Sequence, residues 1–346
     1  MKTRYIFLAA LSTVMLGCAR ETTPSVGETA REYLGLWIEK YHPGVSPDAN
    51  GLYQLEEEVG TGDLWDADMP YSYLEITTRS LSGVVSSTMS EELSKQLGTY
   101  VVGNYYGPRF QATGEGSSYA GLDALLSGMR EGGSRRAVVP AWMLTTSRFK
   151  TQKEYIDAAS SSASLIYEVV LKGQTDDINA VEKDSIGRYV SRHYGAVDPV
   201  SYIPDEAPDG TFYFINVYTP SGEDVKPHTE TATGTLNYTG RLLNGQVFDT
   251  TLENVAKDAG LYSSSKQYNP MSITFASEWK SISMGSGGSL IDGFKGALSL
   301  MKYPGQKAVA IFTSSQGYST TGSGNTIPAW SPLLFELELV DVSEVE

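Results

Sequence analysis

The sequence predicts an α+β protein made of two related copies, each pairing one short helix with a mostly antiparallel sheet. Three observations predict it. Gly, Tyr, Thr and Ser are abundant, with 35 Gly and 22 Tyr, and they fall in short alternating runs typical of strands. Apolar content of 40% with 19% charged residues fits a folded core and excludes a disordered chain. The chain also repeats itself at a spacing of about 160 to 170 residues, the spacing expected of two domains of ordinary size.

Each copy opens with a helix. In Glu28–Lys40 the apolar positions Tyr33, Leu34, Trp37 and Ile38 recur at helical spacing; in Val181–His193 the same part falls to Ile186, Tyr189 and Val190. A strand-like run follows, at 51–55 and 210–217, and then a turn, Gly60-Thr-Gly62 or Pro220-Ser-Gly222. Next, Tyr73–Gly83 parallels Thr235–Gly245, Gly121–Leu126 parallels Gly293–Leu298, and Ser164–Leu171 parallels Pro332–Leu339. The junction is placed at 173–184, where Gly, Gln, Thr, Asp and Asn cluster. That gives copies at 29–174 and 181–346.

The stretch ahead of the first helix reads differently. Lys2 and Arg4 precede an apolar run, Ile6–Leu16, too short to remain as a membrane helix, and the run ends Met15-Leu16-Gly17-Cys18. This resembles a bacterial lipobox, with Met15 in place of the usual Leu. The resemblance implies a signal peptide at 1–18, acylation of Cys18, the chain's one cysteine, and a polar tether at 19–28 leading from the membrane. No disulfide can then staple the copies, so their cores must hold them. A formal charge of −15 opposes nucleic-acid binding. His42, His193 and His228 are far apart, unlike metal ligands. Arg135-Arg136 reads as a solvated strand face.

The second copy carries a specific constellation. Asn237-Tyr-Thr-Gly-Arg-Leu-Leu-Asn-Gly-Gln-Val-Phe-Asp249 contains a hairpin turn at Asn244-Gly245. It is followed by Leu290-Ile-Asp-Gly-Phe-Lys-Gly-Ala-Leu298, by Met301–Ile311, and by Gly317–Phe335. Four blocks in this order resemble the FK506-binding (FKBP) type of peptidyl-prolyl isomerase over Thr229–Val342. The resemblance implies two FKBP-like domains, each a curved antiparallel sheet wrapped on a short helix and preceded by an N-terminal helix. It also implies rotation of X–Pro bonds in proline-containing polypeptides, a reaction that breaks no covalent bond and calls for no cofactor and no metal. Tyr238, Phe248, Asp249 and Tyr318 are the implied catalytic residues. Leu290, Ile291, Phe294, Ile327 and Phe335 are the implied substrate-binding residues, with the Ile291 N–H and Tyr318 hydroxyl donating to substrate carbonyls.

Two features depart from the family pattern. Phe294 stands where Trp is common, and Met271 where another Phe is common. The stretch 250–289 does not align, and Trp279 within it has no assigned part. In the first copy Ile76 replaces the Tyr, Ser86-Ser87 replace Phe-Asp, and Leu122 replaces the floor aromatic, while Tyr167 keeps the last-strand ring. That copy is expected to be inactive. The reading is of a lipid-anchored envelope protein, periplasmic or at the cell surface, that assists the folding of exported polypeptides. The rival reading is a non-catalytic binding lipoprotein, in which the cleft would be filled by side chains or by 250–289.

Overall fold

A computed structural model of the chain describes residues 24–114, 119–158, 163–198 and 211–343. The expected signal peptide and acylated Cys18 lie outside the described residues. In the first copy, helix α1 (Val26–Tyr41) starts at a capping box: Ser25 accepts from the Glu28 N–H, and Glu28 accepts from the Ser25 N–H. The helix therefore takes up the end of the expected tether. Strands β1 (Tyr53–Glu58), β2 (Tyr71–Ser80) and β3 (Val85–Thr88) follow, then α2 (Glu91–Gln96), β4 (Arg109–Ala112) and α3 (Ala120–Leu126). Strand β5 (Ser134–Val139), α4 (Gln152–Asp157) and β6 (Leu165–Thr175) complete the copy.

Only Asp176 and Asp177 separate β6 from α5 (Ile178–Tyr194), so the second copy's helix begins slightly before the expected start at Val181. Then come β7 (Phe212–Tyr218), β8 (Thr233–Leu242), β9 (Val247–Thr250), α6 (Glu253–Asp258), β10 (Met271–Thr274) and β11 (Ser283–Met284). The copy ends with α7 (Asp292–Leu300), β12 (Lys307–Phe312) and β13 (Leu333–Ser343).

The sheets share one topology. The first runs β1-β5-β6-β2-β3, with β4 also on β2; the second runs β7-β12-β13-β8-β10-β11, with β9 also on β8. All these pairings are antiparallel. The register confirms the repeat residue by residue. Tyr167 lies opposite Thr78 as Phe335 lies opposite Gly240, and Ser87 pairs with Thr78 as Asp249 pairs with Gly240.

Each sheet buries its inner face and is covered on its outer face where the opening helix lies on β5 or β12, which explains the unbroken apolar runs of those two strands; elsewhere the outer face carries ion pairs such as Arg79–Glu168 and Arg241–Glu336. In β12, Ala308, Ala310 and Phe312 face α7, while Val309 and Ile311 face Ile186 and Val190 of α5. In β5, Ala137 and Val139 join the core around α3, while Val138 meets Leu34, Trp37 and Ile38 of α1. Helix α7 sits close to its sheet because Gly293 has no side chain; a Cβ there would come within 2.6 Å of the Phe312 ring.

Two expectations need correction. Arg135 is not on a solvated face. It is 8% exposed, sharing the inward face of β5 with Ala137 and Val139. It donates to the carbonyls of Leu125 (2.7 Å) and Ser127 (2.8 Å), which cap the end of α3, and to Glu57 Oε1 (2.6 Å). Its guanidinium holds the Glu57 carboxyl below the usual carboxylate range, chiefly through that hydrogen bond.

The 250–289 stretch is also not foreign to the repeat. Its first part, α6 and the loop behind it, reproduces α2 and its loop. Lys95 lies over the Tyr100 ring and Tyr100 stacks on Tyr106 at 5.3 Å. In the same relation, Lys257 lies over Tyr262, and Tyr262 stacks on Tyr268 at 5.6 Å. Trp279, on a single 3₁₀ turn, packs against the second core.

Candidate functional site

The second sheet curls around a cleft of about 600 Å³. Strand β8 supplies Tyr238, its hairpin partner β9 supplies Phe248 and Asp249, and β13 supplies Phe335. The tight turn between β8 and β9 sets their register: Gly245 has φ +90°, its N–H donates to the Leu242 carbonyl, and Asn244 Oδ1 accepts from Gln246 N–H. Leu290 and Ile291 arrive just before α7, with Phe294 in its first turn. Tyr318 and Ile327 come from the loop 317–332, which folds over the opposite rim. The structure thus brings every expected catalytic and substrate-binding residue around one opening.

The rings form a connected wall. Phe335 is central: Phe248 meets it edge-on at 5.5 Å and 83°, Phe294 at 4.8 Å and 73°, and Phe312 stacks behind it at 5.8 Å. Tyr238 meets Phe294 edge-on at 5.6 Å. These are the offset geometries that aromatic quadrupoles favour. Phe294 and Phe335 are buried at 3% and 5% exposure, so they serve the core and the cleft floor together. Gly240 makes room for the wall, because a Cβ on it would lie 2.5 Å from Phe248 Cζ and 3.0 Å from Phe335 Cε1.

Among the described residues, Asp249 is the one carboxylate lining this cleft. Tyr238 Oη donates to its Oδ2 at 2.5 Å; Lys266 Nζ (2.6 Å) and the Thr250 N–H (2.9 Å) donate to Oδ1. Burial pushes the Tyr238 hydroxyl well above its ordinary value, and the bond to Asp249 pushes the same way. Tyr318 is also raised, first by burial and then by the Asp249 charge. Both phenols therefore stay protonated, and able to donate, at neutral pH. Ile291 is the N-cap of α7, and an N-cap N–H has no backbone carbonyl partner in its own helix.

Sequence reasoning noted Met271 but passed over Met284 and Lys266. Met271 lines the cleft at the position noted as a departure, joined by Met284 from β11. Lys266 carries no signal in the sequence; it reaches Asp249 from beyond α6, within the stretch that does not align. That stretch walls the cleft without filling it.

The first copy differs at the places of the phenol, the acid and the last-strand ring. Ile76 occupies the Tyr238 place, and Ser87, in the Asp249 place, hydrogen-bonds Thr78 at 2.9 Å. Tyr119, N-cap of α3 as Ile291 is of α7, shares a 2.9 Å hydroxyl–hydroxyl bond with Tyr167, which holds the Phe335 place. A separate cavity of about 540 Å³ lies between the copies, bounded by Tyr100, Asn104, Arg241 and Gln246. It has no convergent aromatic floor.

Comparison with known proteins bears on this cleft. The family model described as FKBP-type peptidyl-prolyl cis-trans isomerase matches residues 225–340. Two proteins named FK506-binding protein, from Neisseria meningitidis serogroups A and B, are each 31% identical over 110 residues, covering 32% of this chain and 79% of theirs. Among solved structures, a peptidyl-prolyl cis-trans isomerase from Pseudomonas syringae aligns at TM-score 0.30 and 22% identity, covering 50% of this chain and 100% of its own. FkpA from Escherichia coli aligns at TM-score 0.30 and 19% identity, covering 49% and 64%.

Proposed function

The chain belongs to the FKBP-type peptidyl-prolyl cis-trans isomerase family, and from that premise we propose that its second copy alone catalyses X–Pro rotation. The observation that carries the proposal is the convergence of Tyr238, Phe248, Asp249, Phe294, Tyr318 and Phe335 on one open cleft, beside a first copy that lacks the acid and its phenol partner.

Rotation about an X–Pro bond faces a barrier of about 18–20 kcal/mol, set by amide resonance. Resonance places partial charges on the planar amide, and twisting removes them. A dry aromatic cleft therefore favours the twisted form over the planar one, which is the condition for lowering the barrier. In this reading the rings of Phe248, Phe294 and Phe335 grip the proline. The Ile291 N–H and the Tyr318 hydroxyl hold the flanking carbonyls. Asp249, fixed by Tyr238 and Lys266, faces the carbonyl carbon as it turns out of conjugation. Phe294 in place of Trp keeps the floor apolar and leaves it less deep.

The sequence resemblance at Met15–Cys18 supports placing this activity on a lipid-anchored envelope protein, with exported polypeptides as clients. A proline-isomerisation assay on the chain tests the enzyme reading, with Asp249→Ala and Phe248→Ala as controls. Catalysis that both substitutions depress supports it; rates no faster than the uncatalysed reaction end it. Mass spectrometry of the membrane fraction tests acylation at Cys18, and a chain cleaved after the leader without lipid refutes the anchor.

A further inference from the structure

The helix–loop element after β3 and its counterpart after β9 share a fold, so their divergence is informative. Each has its stacked tyrosine pair, and in each the second tyrosine's hydroxyl accepts a backbone N–H, from Val101 at 3.0 Å or from Ser263 at 2.9 Å. In the second copy the loop turns Lys266 toward Asp249 of its own sheet. In the first copy Asn104 stands at that position, and Ser87 stands where the carboxylate would be. There the loop leaves its own copy and reaches the other.

Four contacts mark the crossing. The Tyr105 N–H donates to the Asn325 carbonyl at 2.8 Å, and the Tyr105 ring packs against the hydrophobic core beneath the cleft. Gln246 Nε2 donates to the Gly103 carbonyl at 2.8 Å. Tyr71, at the start of β2, meets Trp330 edge-on at 5.3 Å. Asn325 and Trp330 both belong to loop 317–332, which carries Tyr318 and Ile327 into the cleft. This loop holds Ser319 and Trp330 at φ +50° and +54°, a left-handed conformation that non-glycine residues seldom adopt. Its internal ties are short turns: the Gly322 N–H donates to the Tyr318 carbonyl, Ser323 and Ile327 exchange a pair of backbone bonds, and the Trp330 N–H donates to the Ser319 carbonyl. A loop so shaped keeps its form where surrounding structure fixes it.

We propose that the first copy acts as a fixed brace for this loop, with Tyr105 and Tyr71 as positioning residues for the cleft of the second copy. This rests on the isomerase reading for its functional consequence and on the contacts alone for its structural one. A copy without a site of its own thus serves its neighbour's site by holding Tyr318 and Ile327 in place.

Hydrogen exchange and kinetics on the full chain test it with Tyr71→Ala, Tyr105→Ala and the double variant. Exchange at the Ser323 and Ile327 amides should rise about threefold to tenfold per substitution, the equilibrium factor that one aromatic contact contributes. Amides in the β8–β13 ladder should keep their parent rates, which shows that the copy remains folded. KM for a proline peptide should rise while kcat is retained, and Tyr105→Phe, which keeps the ring, should restore KM. Parent exchange rates in the double variant overturn the brace. Faster exchange with an unmoved KM in an active parent overturns the positioning role. An inactive parent whose loop exchange still rises leaves the brace standing and overturns the isomerase reading instead.

Discussion

Gly240 sits two residues before the end of β8, just after Tyr238-Thr239, and its missing side chain is what lets Phe248 lie across the strand. In Gly240→Ala the new methyl would stand 2.5 Å from Phe248 Cζ, with Cε2 closer still, and 3.0 Å from Phe335 Cε1. Ordinary carbon contact is about 3.5–4.0 Å, so a rigid ring must move by about 1 Å. Phe335 cannot yield, because Phe312, fully buried, is stacked behind it. Phe248 has to swing outward into the cleft. Overpacking of this kind costs about 1–3 kcal/mol. Loss of glycine's freedom in the unfolded chain offsets about 0.4–1 kcal/mol of that. A net loss of up to about 2.6 kcal/mol follows, measured as a lowered urea midpoint with an unchanged m-value. The displaced ring also narrows the proline site, so kcat/KM should fall by more than the stability change alone would cause. A fully active variant with the parent's urea midpoint would refute the claim that Gly240 is there to seat the aromatic wall.

Other outcomes follow from the same geometry. Lys266→Met breaks an ion pair whose side chains are both 42% exposed, so stability should change by no more than about 1 kcal/mol, while kcat/KM falls and its salt dependence flattens in a salt-titrated assay. Tyr238→Phe removes the donor to Asp249 and should cost about 1–1.5 kcal/mol in urea denaturation together with a loss of kcat/KM. Arg135→Met strands two carbonyls and Glu57, and thermal melting should show a loss of about 2–4 kcal/mol.

Glu182 of α5 is 4% exposed and accepts from the Ser314 N–H and hydroxyl; burial raises its carboxyl above the ordinary 4.5. The folded state then binds the proton more tightly than the unfolded one. Its contribution is full below pH 4.5 and is lost as pH rises through the raised folded value. Denaturation midpoints over that window should show the parent losing stability relative to Glu182→Gln as pH increases.

The cleft was legible in the sequence because its residues answer to constraints a motif can record. A hairpin needs Asn244-Gly245, a crowded strand needs Gly240, and the aromatics on β8, β9 and β13 sit at fixed register. The two helices at the copies' starts were legible from their helical periodicity. What escaped depends on distance in space. Lys266 belongs to the site only because α6 and its loop fold back across β9. The α2/α6 repeat is carried by a Glu, a Lys, a Gly, two Tyr and a Pro, too few identities to stand out. Arg135 shares its alternation parity with Ala137 and Val139, so its inward direction could be read. That an arginine is tolerated there follows from two carbonyls at the end of α3, which no local pattern announces.

The joint between β6 and α5 is just Asp176 and Asp177, and so short a link reaches at most about 7 Å. With Tyr105, Gly103 and Tyr71 of the first half also tied to Asn325, Gln246 and Trp330 of the second, the halves are not free to swing like beads on a string. The cleft of the second copy is thereby held at a set angle to the first copy, and solution scattering should report one rigid outline at low and high ionic strength alike.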